Sequence, residues 1–145
     1  MKSIFFVFIV LFLLGCPDMG TYYSSYSIVN ETKHNIELRF YKLILAGQER
    51  SFVFKVTIEG QGLVIKRTLK TYALDVDSPI EAFEADSVAV IFNKERVEGH
   101  VFIEPMSGSI INRGDYESNE AGNDYVFYLK ETNYKNATPC DGSCN

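Results

Sequence analysis

The stretch Phe52-Val53-Phe54-Lys55-Val56-Thr57-Ile58-Glu59 places an apolar side chain at every even position from 52 to 58 and polar ones at 55, 57 and 59. Because successive side chains of a strand point to opposite faces, this period of two predicts a strand with one buried face. Ile36-Glu37-Leu38-Arg39-Phe40-Tyr41 alternates in the same way. Both stretches therefore predict that the chain folds from half-buried β-strands.

Further strands are predicted outward from these two. Ser87-Val88-Ala89-Val90-Ile91-Phe92 is a continuous apolar run, typical of a central strand. Gly60-Gln61-Gly62 and the polar residues 93–96 are each predicted to close a hairpin, and Thr132 is predicted to cap a helical turn that Pro139 stops. The sequence thus predicts an all-β fold of about seven strands, either an antiparallel β-sandwich or a partly open barrel, with a short C-terminal helical turn. The other predicted strands begin at Tyr26 or cover residues 63–71, 97–103 and 125–129.

The N-terminal segment has the features of an export signal. Lys2 precedes an unbroken apolar run from Ile4 to Leu14, followed by Gly15 and Cys16. As a helix this run would span roughly 17 Å, well short of the ~30 Å of a hydrocarbon core. It is therefore predicted to be a signal peptide with a processing site and not a membrane-spanning helix.

Leu13-Leu14-Gly15-Cys16 resembles the lipobox of bacterial lipoproteins. This resemblance implies cleavage before Cys16, a thioether-linked diacylglycerol on Cys16 and acylation of the new amino group. Two or three acyl chains anchor a protein stably, whereas one holds it only marginally. We therefore expect a signal peptide at 1–15, a tether at 16–25 and a β-sandwich-like domain at 26–145. The alternatives are an ordinary secretory signal, with Cys16 in a disulfide, or a transmembrane anchor.

Charge limits the partners of the chain. Removal of residues 1–15 takes away one lysine and no acid, so the formal charge changes from −5 to −6. An acidic chain without basic clusters is not expected to bind nucleic acid, and its contact with the membrane is expected to come from the acyl chains. No cofactor is predicted.

The mature chain also resembles small exported lipoproteins of Bacteroidota. The resemblance implies a fold class and a compartment and assigns no active residues. Lipoproteins sent to the surface in that phylum carry a cluster of acids after the cysteine. Here Pro17-Asp18-Met19-Gly20 contains a single acid, Asp18. We therefore expect an outer-membrane protein that faces the periplasm. The residues that carry the resemblance are Tyr26-Ser27-Ile28-Val29-Asn30, Ile36-Glu37-Leu38, Asp86-Ser87-Val88, Ile110-Ile111-Asn112 before Tyr116, and Tyr134.

Cys140 and Cys144 form an even pair if Cys16 is lipidated. An oxidising compartment favours a disulfide between them, and Gly142 allows the tight turn that such a short loop needs. One alternative is that the two thiols form half of a metal site, but no histidine is near in sequence. The other is a redox-active pair, but three residues intervene between the cysteines instead of two.

Other candidate residues have simpler explanations beside the functional ones. His34 and His100 are lone histidines, more typical of surface or core positions than of catalysis. Five carboxylates between positions 75 and 86 could bind Ca²⁺, but the interruption by Pro79 favours a solvated loop, and no metal site is predicted. Tyr22, Tyr23 and Tyr26 could line a patch for a glycan or partner, or pack over an open end of the sandwich. The five carboxylates belong to Asp75, Asp77, Glu81, Glu84 and Asp86.

Two sequence patterns resemble modification motifs. Asp86-Ser87-Val88 is similar to the short O-glycosylation motif of Bacteroidota, which needs an exposed serine. Asn30-Glu31-Thr32 and Asn136-Ala137-Thr138 fit the N-glycan acceptor pattern, which matters only outside bacteria.

These observations predict a non-enzymatic lipoprotein that acts as a binding or envelope-associated module, with a protein or glycan partner. The rival is an enzyme or inhibitor of envelope glycans or peptides that uses the loop 104–123, because loops of about twenty residues are uncommon unless they serve function or are disordered. A pocket of converging polar groups beneath that loop would favour chemistry. A flat face or a sheet edge would favour binding.

Overall fold

The computed structural model describes residues 20–43, 50–62, 64–72, 78–102 and 108–144 of the 145-residue chain. Strands of six residues or more account for most of the regular structure, together with two short helices. The strands are β1 (Thr21–Asn30), β2 (Ile36–Leu43), β3 (Arg50–Ile58), β4 (Val64–Tyr72), β5 (Ser87–Phe92), β6 (Arg96–Val101), β7 (Glu117–Ser118), β8 (Asp124–Leu129) and β9 (Thr138–Pro139). The helices are α1 (Pro79–Phe83) and α2 (Glu131–Asn136).

The strands form two sheets. One has four strands in the order β4-β1-β8-β7, and the other has five in the order β3-β2-β5-β6-β9. All pairs are antiparallel except β1 with β8, which run parallel. The all-β sandwich of two sheets is confirmed, and the parallel β1–β8 pair is its departure from the antiparallel pairing that was predicted.

The core lies between the inner faces of the two sheets, which the alternating residues supply. Tyr26 of β1 stacks on Tyr125 of β8 with the ring centroids 4.9 Å apart, and Phe40 of β2 stacks on Phe54 of β3 at 4.3 Å. Burial of such rings is the main favourable contribution to folding. Other fully buried apolar residues are Ile28, Ile36, Leu38, Phe83, Val88, Val90, Phe92, Ile110, Ile111 and Leu129.

The predicted hairpin at Gly60-Gln61-Gly62 is wrong, because β3 and β4 belong to different sheets. Gly60 and Gly62 have positive φ angles of 56° and 93°, which favour glycine. Asn30 holds both of them: its side-chain amide donates to the Gly60 carbonyl at 3.0 Å, and its own carbonyl accepts from the Gly62 N–H at 2.9 Å. These contacts turn the chain from one sheet to the other.

The predicted hairpin at residues 93–96 is confirmed between β5 and β6. Asn93 and Lys94 both have positive φ, of 48° and 62°. Two consecutive residues with positive φ are the pattern of a tight turn whose twist matches that of the strands.

Strand β1 begins at Thr21 and not at Tyr26, so residues 21–25 are part of the sandwich and not of the expected tether. Serines at 24, 25 and 27 hid this strand from the apolar pattern, although all three are buried. The segment available as a tether after Cys16 therefore ends at Gly20.

The helices are also placed differently from prediction. α1 occupies the predicted loop around Pro79, where Ser78 caps it and accepts a hydrogen bond from the Glu81 N–H. α2 begins after Lys130, so Thr132 lies inside it and not at its cap, and it ends at Asn136, before Pro139. Neither helix in the described part of the chain has the length or the apolar content needed to cross a bilayer.

Candidate functional site

The two ends of the sandwich differ, and the polar residues collect at one of them. β1, β5 and β8 all finish at this end, where β1 and β5 are followed by turns and β8 by α2. We call it the polar end. The chain enters the fold at Thr21, at the opposite end, which we call the entry end. The polar end is formed by Asn30, Thr32, His34, Asn35, Asn93 and Glu131.

Asn30 is the centre of the polar end. It has no exposed surface, and its amide donates to the His34 carbonyl at 2.8 Å as well as to Gly60. Its side-chain oxygen accepts from the N–H and the hydroxyl of Thr32, at 2.9 and 2.8 Å. Both of its amide hydrogens and its oxygen are thus used inside the protein, as a buried amide requires.

The His34 ring is held from three sides. Asn93 donates from its side-chain nitrogen to Nδ1 at 3.0 Å, since the Asn93 oxygen already accepts from the Asn35 N–H. Nε2 therefore carries the proton and donates to Glu131 at 3.2 Å. The ring also stacks on Tyr134 at 3.7 Å. His34 is 9% exposed. These contacts fix one tautomer and one orientation of the imidazole.

A groove of about 540 Å³ opens beside this network, on the outer face of the five-stranded sheet. Its floor comes from β2, β3 and β5, and the β5–β6 turn forms one wall. The two apolar lining residues, Ile36 and Ile91, are buried, so the accessible side chains of the groove are polar and offer hydroxyl, amide, ammonium and carboxylate groups. The groove is lined by Asn35, Ile36, Glu37, Thr57, Ile91, Asn93, Lys94 and Glu95.

Charge in the groove is partly neutralised. Glu37 accepts a hydrogen bond from Arg39, and the Lys55 ammonium lies 3.7 Å from its other oxygen. The hydrogen bond from Arg39 is the main cause that lowers the pKa of Glu37 below its ordinary value, with the positive charges of Arg39 and Lys55 adding to it against the effect of burial. Glu37 is therefore a fixed carboxylate, able to accept hydrogen bonds from a ligand.

The C-terminal segment is held against the same region by the predicted disulfide. Cys140 and Cys144 are bonded, with their Cα atoms 5.5 Å apart. The Cys140 N–H donates to the Glu95 carbonyl at 2.8 Å, and the Cys144 carbonyl accepts from Arg39 at 3.0 Å. The disulfide therefore has a structural role, because it holds one flank of the groove in place. Cys16, the predicted lipidation site, lies outside the described residues.

His100 lies on the inner face of β6 and is 3% exposed. Its Nδ1 accepts from the Ile110 N–H at 3.4 Å, so Nε2 carries the proton, yet Nε2 has no hydrogen-bond partner. Glu98 is 3.8 Å from Nε2 and is itself bonded to Asn133. His100 and His34 are not brought together, since they belong to separate hydrogen-bond networks.

The loop predicted as a site, 104–123, is described from Gly108 onward, where residues 109–111 and Tyr116 are buried and residues 117–123 are exposed. Ile110 and Ile111 are buried, as expected, and the buried Tyr116 hydroxyl donates to the Ile110 carbonyl at 2.6 Å. Burial raises the pKa of Tyr116 well above its ordinary value, so the hydroxyl remains a donor. Beneath the loop is a hollow of about 190 Å³, lined by Gly108, Asp115, Glu117, Phe127, Tyr128, Lys130 and Asn133.

The other candidate residues are dispersed. Glu81 and Glu84 are exposed on and after α1, while Asp75 and Asp77 lie outside the described residues. In the described ranges no three potential metal ligands come together. Tyr26 is in the core, apart from the exposed Tyr22 and Tyr23.

The burial of each target residue decides whether its modification motif is accessible in the fold. Ser87 is 2% exposed and bonds to Asp86, so it is closed to glycosylation in this fold. Asn30 is equally closed, whereas Asn136 is exposed. The Asn30-x-Thr32 spacing is that of a turn in which an asparagine side chain accepts from the backbone two residues on. The sequence thus carried a signal for the polar end that the glycan pattern obscured, but it carried none for Asn93 or Glu131.

Comparison with family models, with curated proteins and with solved structures finds no match for this chain.

Proposed function

We propose that the protein is an exported lipoprotein, anchored through acyl chains on Cys16, whose sandwich acts as a non-enzymatic binding module in the cell envelope. The export run, the lipobox-like Leu13-Leu14-Gly15-Cys16 and the disulfide between Cys140 and Cys144 support this proposal. Such disulfides persist in oxidising compartments. The outer membrane, facing the periplasm, is the proposed location.

One observation carries the binding role: the groove opens at the polar end, opposite the point where the chain enters the fold. The ten residues of β1 separate the two ends by about 33 Å. A domain held at Thr21 by a short lipidated segment would therefore present the groove away from the membrane. This is the orientation that a partner in the envelope could reach.

The groove suits a polar ligand of mixed charge, such as a glycan or a peptide segment. Thr57 offers a neutral donor and acceptor, and Glu37 and Lys94 offer opposite charges. Sites of this size with a few placed polar groups are typical of ligand binding. Binding is favoured over chemistry because the polar side chains beside the groove are engaged with one another and not poised toward a reacting group.

A binding screen with a matched pair of variants tests this role. Thr57 lines the groove, whereas Thr68 is an exposed threonine on the outer face of the other sheet. We expect the protein to bind a member of a panel of envelope glycans and peptides, with Thr57→Trp abolishing the binding and Thr68→Trp leaving it unchanged. Binding that survives Thr57→Trp would contradict the assignment of the groove.

Anchoring is tested separately by detergent phase partitioning of cell extracts. The protein is expected in the detergent phase, and a Cys16→Ser variant is expected to lose the acyl chains and leave that phase. A Cys16→Ser variant that partitions as before would contradict the lipid anchor while leaving the groove untested by this measurement.

The alternative function is an enzyme or inhibitor that acts on envelope glycans or peptides through the loop 104–123. The hollow of about 190 Å³ supports it, because Glu117 and Lys130 place opposite charges on its lining. Asp115 is a poor test residue, since it accepts from the Ser109 N–H and the Asn112 amide and so shapes the loop. Hydrolysis of such a substrate that is lost in both Glu117→Gln and Lys130→Ala would favour this alternative over the binding module.

A further inference from the structure

The most exposed large apolar and aromatic side chains in the described residues share one location. Tyr22 is 61% exposed, Tyr23 59%, Phe52 55% and Phe102 54%. Single exposed hydrophobic residues are common on protein surfaces. Here, however, the four come from β1, from β3 and from the residue that follows β6, so both sheets contribute, and the pairing of the strands places all four at the entry end.

The register establishes this placement. In the four-stranded sheet, Thr21 pairs with Tyr72, so Tyr22 and Tyr23 lie in the first positions of β1. In the five-stranded sheet, Tyr41 pairs with both Phe52 and Ser87 near the end of β2.

Phe102 follows on the next strand of the same sheet. Ser87 pairs with Val101, and the Phe102 N–H extends that ladder by donating to the Asp86 carbonyl at 3.0 Å. β3 leads through the turn at Gly60 into β4, so the end of β3 that carries Phe52 lies at the same end as Tyr72. The four rings therefore surround one end of the sandwich, and we call them the aromatic rim.

We propose that the aromatic rim rests in the headgroup region of the membrane and fixes the domain upright on it. This inference rests on the proposed lipid anchor and adds the orientation of the domain. Tyr and Phe rings are suited to this region, because an apolar ring can enter the acyl boundary while a tyrosine hydroxyl stays hydrated.

The length of chain before the rim supports a membrane as the occupant. Cys16 precedes Gly20 by four residues, which can span at most about 14 Å when extended. Acyl chains on Cys16 would thus hold Tyr22 and Tyr23 within a short distance of the lipid. A partner protein at the same end would have to fit into that narrow gap.

The charges of the entry end indicate which lipids suffice. Lys42 and Arg50 are exposed there, and so are Glu81 and Glu84 of the α1 region, which packs beside the ends of β4 and β1. Because both signs are present, the contact is expected to depend on burial of the rings and not on anionic lipid. A zwitterionic bilayer should therefore be enough.

The experiment uses the absence of tryptophan from the sequence. Phe52→Trp and Phe102→Trp each place a single fluorescent reporter on the rim, and Gln61→Trp places one in an exposed turn at the polar end. The full-length chain, purified from membranes and confirmed by mass to be acylated, is reconstituted into phosphatidylcholine and phosphatidylethanolamine vesicles with or without brominated phosphatidylcholine. Thermal unfolding confirms that each variant is folded.

We expect brominated lipid to remove about half of the emission of the two rim reporters, which sit at the depth of the aromatic belt, and to leave the Gln61→Trp emission unchanged. Equal quenching of all three reporters, or quenching that needs added phosphatidylglycerol, would overturn the inference. So would unquenched rim reporters whose emission shifts with protein concentration, since that result would indicate a second copy or another protein on the rim.

Failure of the anchor gives a different result. A chain that carries no acyl group and does not join the vesicles would refute the proposed function, and the orientation with it. An acylated, vesicle-bound chain with an unquenched rim would refute the orientation alone.

Discussion

The two ends of the sandwich are formed by the same strands but differ in chemistry. At the polar end, Asn30 and the His34 ring are buried, and their nitrogen and oxygen atoms are partnered within the protein. At the entry end, Phe52 and Phe102 expose more than half of their surface. The polar end thus pairs its buried polar groups within the protein, whereas the entry end leaves apolar surface in water.

This difference separates residues that stabilise the fold from residues that are available for contact. A buried, fully bonded amide such as Asn30 is costly to remove because its partners lose their bonds. Exposed rings contribute little to folding, and four of them at one end of the sandwich call for another explanation. The membrane contact proposed for the aromatic rim supplies one.

The largest effect is expected from Asn30→Ala at the polar end. It would leave the Gly60 carbonyl and the Thr32 N–H without a partner and remove the shorter of the two hydrogen bonds to the His34 carbonyl, and we expect it to lower the free energy of unfolding by about 3 kcal/mol. Asn136→Ala, on an exposed asparagine, should change it by less than about 0.5 kcal/mol. Urea denaturation of the chain starting at Pro17, followed by circular dichroism, measures both. Equal effects would remove the distinction between bonded and exposed asparagines.

A smaller effect is expected from the two histidines, which differ in partners. His34→Leu removes a ring with hydrogen bonds at both nitrogens and should cost about 1–2 kcal/mol. His100→Leu removes the unpartnered Nε2 but also the 3.4 Å acceptor of the buried Ile110 N–H, so it should cost no more than about 1 kcal/mol. The same denaturation experiment compares them, and a larger loss for His100→Leu would contradict the assignment of these contacts.

Glu37 in the groove should make the stability of the fold depend on pH. The pKa of Glu37 is lowered in the folded protein, chiefly by the hydrogen bond from Arg39, so the carboxylate stabilises the fold above its unfolded pKa. This stabilisation is lost as the pH falls through the folded pKa. Thermal unfolding at several pH values below 5 should therefore show that Glu37→Gln loses less stability as the pH falls than wild type or the exposed control Glu120→Gln does. Identical slopes for the three proteins would count against the Arg39 contact.

The smallest effect on stability is expected at the entry end. Phe52→Ser and Phe102→Ser should each change the free energy of unfolding by less than about 0.5 kcal/mol, because these rings are mostly in water. In the vesicle-bound protein the double variant should instead increase deuterium uptake of the amides near Thr21. Destabilisation comparable to that of Asn30→Ala would show that the rim belongs to the core.

The fold class followed from the alternation of residues 36–41 and 52–58, because a period of two fixes which face of a strand is buried. The crossover at Gly60 could not be predicted in this way. A glycine-rich connection of three residues suits a hairpin equally well, and the choice depends on Asn30, thirty positions away. The beginning of β1 was hidden because its buried serines give no apolar signal.

The candidate site was less accessible to prediction than the fold. Cys140 and Cys144, four positions apart, indicated their own disulfide, since the loop between them is short. The groove, by contrast, is lined by residues from three strands and a turn, which only the sheet order brings together. The aromatic rim likewise joins Tyr22 to Phe102 through pairing, and the sequence offers no direct link between them.

Mass spectrometry of the N-terminal peptide of the native protein, extracted from membranes, would decide whether Cys16 is lipidated. We expect a chain that begins at Cys16 and carries a thioether-linked diacylglycerol, with an acylated amino group. A chain that retains residues 1–15, or one that begins near Cys16 with a free or disulfide-bonded thiol, would contradict it.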